Sequence, residues 1–159
     1  FRSTKDFKTD IMSTKNIVFI ILRLILGGMM VYGGIQKFQK PIPSPVEVVE
    51  KAEKFKAPEK ESTLQKILYI SGAKQTGYFW QVLGICELLF GLLVLLQGTS
   101  FMGAIFLLPI TLHIFLFHLF LEAEELGELL QTGGLLAINI LLILKEKSKW
   151  QHLLWIKPM

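Results

Sequence analysis

Residues 101–121 read FMGAIFLLPITLHIFLFHLFL and contain no aspartate, glutamate, lysine or arginine. Three further apolar blocks occupy residues 17–35, 77–96 and 129–144. A helix needs about 20 such residues to cross a bilayer. The last block is short, but its flanking charged side chains can extend it to the two interfaces. The sequence therefore predicts four transmembrane helices.

The composition agrees with this prediction. Hydrophobic residues make up 52% of the 159 residues, and the mean hydropathy is +0.49. A soluble helical bundle is disfavoured because no block has a continuous polar face. The composition also excludes a disordered chain, a collagen-like chain and a coiled coil. The single cysteine, Cys86, excludes a disulfide scaffold and dithiol chemistry within this chain.

The expected fold is an all-α polytopic membrane protein, an antiparallel four-transmembrane-helix bundle in one domain. A polar N-terminal tail is expected at residues 1–16, the bundle at residues 17–144 and a basic C-terminal tail at residues 145–159. The net charge of +4 comes from lysines that flank the apolar blocks, so we expect them to set membrane topology and not to bind nucleic acid. Because both tails are basic, both termini are predicted to be cytoplasmic.

The long loop between the first two spans covers residues 36–76 and begins with a proline-rich segment that cannot be helical. Apolar residues recur at helical spacing in residues 46–55 and 64–70. This spacing predicts short amphipathic helices that fold back over the outer mouth of the bundle. The alternative is a solvated loop with weak helicity. The loop between spans two and three, residues 97–100, is so short that it requires a helical hairpin.

Three polar residues inside the blocks predict a buried layer. Counted from the cytoplasmic ends, Arg23 and Asn139 lie about 9 Å deep and Glu87 about 13 Å deep. Since buried charges are costly without a partner, we expect Glu87 to pair with Arg23 and Asn139 to join them. The layer could also serve only to fix the helix register.

A second polar group is expected at the outer mouth, where Lys37, His118, Glu122 and Glu128 fall near the interface. His118 and Glu122 are four residues apart and share a helix face. They suit a proton-handling pair, a metal site or a quinone head-group site. No metal is predicted, because only this pair has helical ligand spacing.

His113 and Trp80 are candidates for the bundle interior. His113 lies about 140° around its helix from His118, so the two are not expected to share one ligand.

Three segments resemble the DoxX family. Leu22–Phe38 has an early arginine, then glycines, then Lys-Phe at its exit; Thr76–Leu93 contains Glu87 and Gly91; Leu108–Phe120 has the pattern Leu-Pro-Ile-x-x-His-Ile-Phe-Leu-Phe-His-x-Phe. The similarity covers roughly residues 17–144. It implies a four-helix membrane bundle in the bacterial inner membrane, with the family's charged positions at Arg23, Lys37, Glu87 and His118. Members are linked to quinone-coupled thiosulfate oxidation, to quinol oxidase gene sets and to membrane oxidoreductase complexes.

Three functions follow as hypotheses. The first is a redox-associated subunit that binds a quinone or another lipid-soluble molecule, more an accessory than a stand-alone enzyme. The second is a structural or assembly subunit, and the third is transport of a proton or small solute. No intrinsic cofactor is predicted beyond a bound quinone or lipid. The expected partners are the lipid bilayer, other membrane or redox subunits, or a second copy of the chain.

Overall fold

The computed structural model describes the backbone of residues 4–56 and 61–146, and the side chains of residues 16–56 and 62–146. These residues form helices and no strand, so the predicted all-α class is confirmed. In chain order the helices are α1 (Thr4–Gln39), α2 (Pro45–Glu53), α3 (Glu61–Gln75), α4 (Phe79–Leu95), α5 (Ser100–Leu121) and α6 (Leu126–Lys145).

Three helical segments are long and apolar enough to cross a membrane: Asn16–Gln39 in α1, Ser100–Leu121 and Leu126–Lys145. A fourth span results if Ser62–Gln75 and Phe79–Leu95 count together, although they are bent by 88°. Large apolar side chains on the outside of these helices are exposed, as lipid contact requires. The chain therefore has three or four candidate membrane spans.

The boundaries differ from the predicted ones at the N-terminus. α1 begins at Thr4, so most of the segment predicted as a polar tail continues the first helix. The segment contains neither glycine nor proline, the two residues that most disfavour a helix, so its polar residues do not prevent α1 from starting there. Of the predicted C-terminal tail, residues 147–159 lie outside the described residues.

The first loop forms the two short helices predicted for it. Ser44 caps α2 by accepting a hydrogen bond from the Glu47 amide, and the Glu47 carboxylate accepts one from the Ser44 amide. Pro45 occupies the first turn of α2, where its missing N–H costs nothing. The alternative of a weakly helical loop is wrong. The bend between α3 and α4 is made by Gly77, whose φ of +79° is open to glycine without strain.

α1 and α4 pack at glycines. A Cβ atom on Gly27 would lie 2.9 Å from the carbonyl oxygen of Gly91, and one on Gly34 would lie 2.9 Å from that of Gly84. Such distances leave no room for a side chain, so glycine lets the two backbones touch. Because the lower number on α1 meets the higher number on α4, the two helices run in opposite directions.

A core of aliphatic side chains joins α1, α4, α5 and α6. α1 packs on α4 and α6, and α5 packs on α4 and α6. The buried members of this core are Leu26, Met30, Val94, Ala104, Leu107, Leu135 and Leu142. α3 lies against α4 and α5 at one end, and α2 packs on α3. This arrangement leaves the C-terminus of α1, the N-terminus of α4 and the C-terminus of α5 together beneath α3.

Candidate functional site

The deepest charged contact joins α1 to α4. Lys37 Nζ donates to both carboxylate oxygens of Glu87, at 2.6 and 2.8 Å. The Glu87 side chain is 2% exposed and that of Lys37 is 14% exposed. The two charges are therefore buried as a pair with two charge-assisted hydrogen bonds, the geometry that a low-dielectric site needs.

The predicted Arg23–Glu87 pair is wrong. Gly27 faces Gly91 and the two helices are antiparallel. Val31, four residues after Gly27, therefore lies level with Glu87, four residues before Gly91. Val31 is eight residues from Arg23, a distance of about 12 Å along the helix. Depths counted from the ends of the apolar blocks missed this register. Arg23 lines a cavity at the other end, where its Nε is buried and has no hydrogen-bond partner among the described residues.

Asn139 also stands apart from the predicted layer, because its partners lie on α5. Its amide lies 2.9 Å from the Thr111 hydroxyl. With the amide turned over, the nitrogen donates to the Ala104 carbonyl at 2.9 Å and the oxygen accepts from the Leu108 amide at 3.1 Å. The hydrogen-bond network selects this second orientation, since it satisfies both ends of the amide. The three predicted residues thus lie at three separate places in the bundle.

Most of the predicted outer-mouth group comes together. His118 Nδ1 lies 2.5 Å from a carboxylate oxygen of Glu122 and 3.3 Å from one of Glu128. Lys66 of α3 donates to Glu122. The fourth predicted member, Lys37, is held by Glu87 instead. The group therefore consists of a histidine, two carboxylates and a lysine drawn from three helices.

His118, Glu122 and Glu128 also meet the geometric needs of a cation site, since their ligand atoms lie within 4.8 Å of one another. The prediction of no metal rested on a missing third ligand, and that premise is wrong because α6 supplies Glu128. Lys66 already holds a positive charge against Glu122. The absence of a metal stays a prediction.

A cavity of about 190 Å³ lies between α1, α3, α4 and α5 and connects these groups. Its polar lining includes Lys37, Glu87, His113 and His118, and its apolar walls come from leucine, isoleucine and phenylalanine side chains. Both histidines line it, although they lie about 140° apart around their helix, and the expectation that they share no ligand stays a prediction. The cavity extends around α5 far enough to reach both faces. For scale, a cavity of about 150 Å³ can hold a benzene ring.

α3 forms the roof of this cavity, as predicted for the first loop. The Tyr69 hydroxyl lies 2.5 Å from His113 Nε2, and the Tyr69 ring contacts Phe117 with centroids 5.5 Å apart. His113 is an exposed residue at the rim and does not lie in the bundle interior as proposed. Its position is set by Tyr69, which bridges from α3 to α5.

Trp80, the other candidate interior residue, lies at the edge of the cavity between two cations. Lys37 Nζ lies 5.3 Å from the centre of its ring and Lys74 Nζ lies 4.9 Å from it. Both distances allow cation–π attraction. The indole therefore lies between Lys37 of α1, which lines the cavity, and Lys74 of α3.

Sequence reasoning missed Tyr69, Lys66 and Thr111. Thr111 follows Leu107 by four residues and its hydroxyl bonds back to that carbonyl, which is ordinary for a threonine in a helix. Tyr69 and Lys66 lie three residues apart on the short helix that was expected to cover the mouth. That spacing placed them on one face, but nothing in the sequence indicated which residues of α5 they would meet.

Comparison with known protein families identifies the family of this chain. A family model described as DoxX matches residues 18–119. No curated protein and no solved structure matches the chain. The matched region includes α2, α3 and α4 entirely and contains Lys37, Glu87 and His118. Because the family model covers more than half of the chain, the protein belongs to the DoxX family.

Proposed function

We propose that this membrane protein binds the ring of a lipid-soluble molecule, a quinone in particular, in the cavity beneath α3. The observation that carries the proposal is the joining of two polar pairs, Lys37–Glu87 and Tyr69–His113, by one small apolar-walled cavity. Binding sites for small molecules combine such walls with a few well-placed polar groups. The volume of about 190 Å³ suits a single ring, so an attached tail would lie outside among the lipids.

The chemistry of the lining suits a quinone head group. Quinone carbonyls accept hydrogen bonds, and the Lys37 ammonium, the Tyr69 hydroxyl and the His118 ring can each donate one. The two histidines and Glu87 can exchange protons with a reduced ring. The protein would act as an accessory subunit of a redox complex, with electrons supplied by another subunit.

The membrane arrangement belongs to the same proposal. We infer that α1, α4, α5 and α6 all cross the bilayer as an antiparallel bundle, with α3 lying in the membrane plane because it is bent by 88° from α4. The basic segments that flank the spans favour cytoplasmic termini, which places the cavity on the opposite side. The expected location is the bacterial inner membrane.

Fluorescence quenching tests the ligand. Trp80 lines the cavity, and the other two tryptophans, Trp150 and Trp155, can be replaced by phenylalanine. Decylubiquinone should then quench Trp80 saturably in detergent, and decanol should not. Tyr69→Phe and His118→Gln should weaken binding by between about twofold and tenfold, the value of one hydrogen bond.

The matched control is Arg23→Gln, which changes a polar residue at the other end. It should leave the quenching curve unchanged. Quenching that rises linearly with quinone, or that is the same in all variants, would show partition into the micelle and would refute the proposal.

A structural or assembly role is the second candidate. It is favoured by the buried polar contacts, because Lys37–Glu87 and Asn139–Thr111 are complete without a ligand. In that case no variant alters quenching, but Glu87→Ala lowers recovery of any co-purifying subunit. Transport is less well supported, since the expected Arg23–Glu87 column does not form.

A further inference from the structure

A second and larger cleft lies between α2 and α3, outside the cavity described above. Its volume is about 610 Å³. One end is held closed by Gln75, whose side-chain amide donates to the Pro43 carbonyl at 2.5 Å. This bond fixes the segment before α2 against the end of α3. The cleft is therefore a defined part of the folded first loop, and its walls come from α2, α3 and the proline-rich segment before α2.

The cleft carries excess positive charge. Lys51, Lys66 and Lys74 line it, and the only acidic side chain among its lining residues is Glu47. The Glu47 carboxylate accepts a bond from the Ser44 amide at 2.6 Å and caps α2. Lys66 is neutralised by a glutamate outside the cleft. Lys51 and Lys74 have no carboxylate partner among the described side chains.

The lysines are close enough to act on one another. Burial lowers the pKa of Lys74, and the neighbouring charges of Lys40 and Lys51 lower it further. Like charges held together in this way are destabilising unless an anion lies between them. The contact of Lys74 with the Trp80 ring offsets part of this repulsion but supplies no negative charge.

The remaining lining is apolar and continues onto an apolar surface. Ile42, Ile67 and Ile70 line the cleft beside the lysines. On the adjoining outer face, Val46 is 66% exposed and Val49 is 58% exposed. The cleft begins just after the last residues of α1, at the level where a spanning helix meets the lipid head groups. A ligand here would contact both a cationic wall and hydrocarbon.

We propose that the α2–α3 cleft binds the phosphate group of an anionic phospholipid, held by Lys51 and Lys74 with its acyl chains along the apolar side. The cationic wall selects the phosphate, and the isoleucine side chains select an amphiphile over a free ion. Basic residues near a membrane surface are a recognised means of binding anionic lipids. The bound lipid would stabilise α2 against α3 and so keep the roof in place over the cavity.

The test uses the full chain in detergent, with lipid binding followed by native mass spectrometry and by thermal unfolding. Phosphatidylglycerol should bind and raise the unfolding temperature, whereas phosphatidylcholine at the same concentration should do so weakly. Lys51→Gln and Lys74→Gln should each weaken phosphatidylglycerol binding by about fivefold, the effect of one basic residue near a lipid surface. Lys74→Arg should retain binding, which separates loss of charge from misfolding.

The matched control is Lys54→Gln, which removes the same charge from an exposed lysine that does not line the cleft. It should leave binding within twofold of the wild type. An equal loss in this control would show non-specific attraction and overturn the proposal. Inorganic phosphate and glycerol phosphate form the last arm: stabilisation by either that matches phosphatidylglycerol would show a free-anion site and also overturn it.

Discussion

The two ends of the helical bundle both contain charged residues and a cavity, but they differ in whether the charged side chains are paired. At the end beneath α3, Lys37 is bonded to Glu87 and Tyr69 to His113. At the other end, Arg23 lines a cavity of about 320 Å³, with its Nε unpartnered among the described residues. A charge in an apolar block therefore does not by itself mark a functional site. What differs between the two ends is whether the fold supplies a partner for the charge.

The largest expected effect comes from breaking the Lys37–Glu87 pair at the end beneath α3. Glu87→Ala leaves the Lys37 ammonium buried without its carboxylate, so we expect a loss of about 3–5 kcal/mol in unfolding free energy. Equilibrium unfolding in mixed micelles measures it. The double variant Lys37→Met/Glu87→Leu should recover most of the loss, because it removes both charges. No recovery would mean that the pair is needed for more than mutual neutralisation.

The second-largest effect is expected where the backbones of α1 and α4 touch. Gly27 and Gly34 approach α4 equally closely, near opposite ends of the interface. Gly27→Ala and Gly34→Ala should therefore each destabilise the protein, by about 1–3 kcal/mol, through overpacking. Gly28→Ala is the control, since a Cβ there meets nothing within 4 Å. The control should be neutral or slightly stabilising, because alanine favours helices. A large difference between Gly27→Ala and Gly34→Ala would show that backbone packing, as well as charge pairing, differs between the two ends of the bundle.

A smaller effect is expected at the roof. Tyr69→Phe removes one hydrogen bond to His113 and keeps the ring packed on Phe117, so the cost should be about 1 kcal/mol. Limited proteolysis at Lys54 or Lys60 should become faster in this variant, because α3 loses a contact with α5. Unchanged cleavage and stability would show that the roof is held without Tyr69.

The smallest effect is expected at the end away from α3, where Arg23 lies. Arg23→Gln breaks no ion pair among the described side chains, so the unfolding free energy should change by less than about 0.5 kcal/mol. The same unfolding assay measures it beside Glu87→Ala. A cost near that of Glu87→Ala would show that Arg23 has a partner of its own and would remove the contrast between the ends.

The order of the helices along the chain could largely be predicted from the sequence, because the length of an apolar block and the position of a proline determine the structure of adjacent residues. The proline-rich break before α2 and the hairpin after α4 are examples, since both depend on a few adjacent residues. The partner of Glu87 could not be predicted, because depth counted from a block end carries an error of several residues. The contact of Gly27 with Gly91 fixes the register, and nothing in the sequence indicated that these two glycines would meet.

The outer-mouth group was predicted more successfully because it needed less precision. His118 and Glu122 are one helical turn apart, so their contact follows from the helix alone. Glu128 begins the next helix and returns to the same place through a short loop. Tyr69 reaches His113 across 44 residues of sequence, and contacts at that range depend on the packing of every helix between them.

The Lys37–Glu87 contact has a consequence for how the chain is made. α4 is only 17 residues long and has a carboxylate near its middle, so it is a poor candidate for unaided transfer from the translocon into lipid. A charged residue at the centre of a span costs roughly 2.5–3.5 kcal/mol on insertion. Lys37 is synthesised 50 residues earlier, at the end of a strongly apolar helix. If α4 crosses the bilayer as proposed, we expect α1 to remain beside the translocon until α4 emerges, so that the two helices enter the bilayer as a neutral pair.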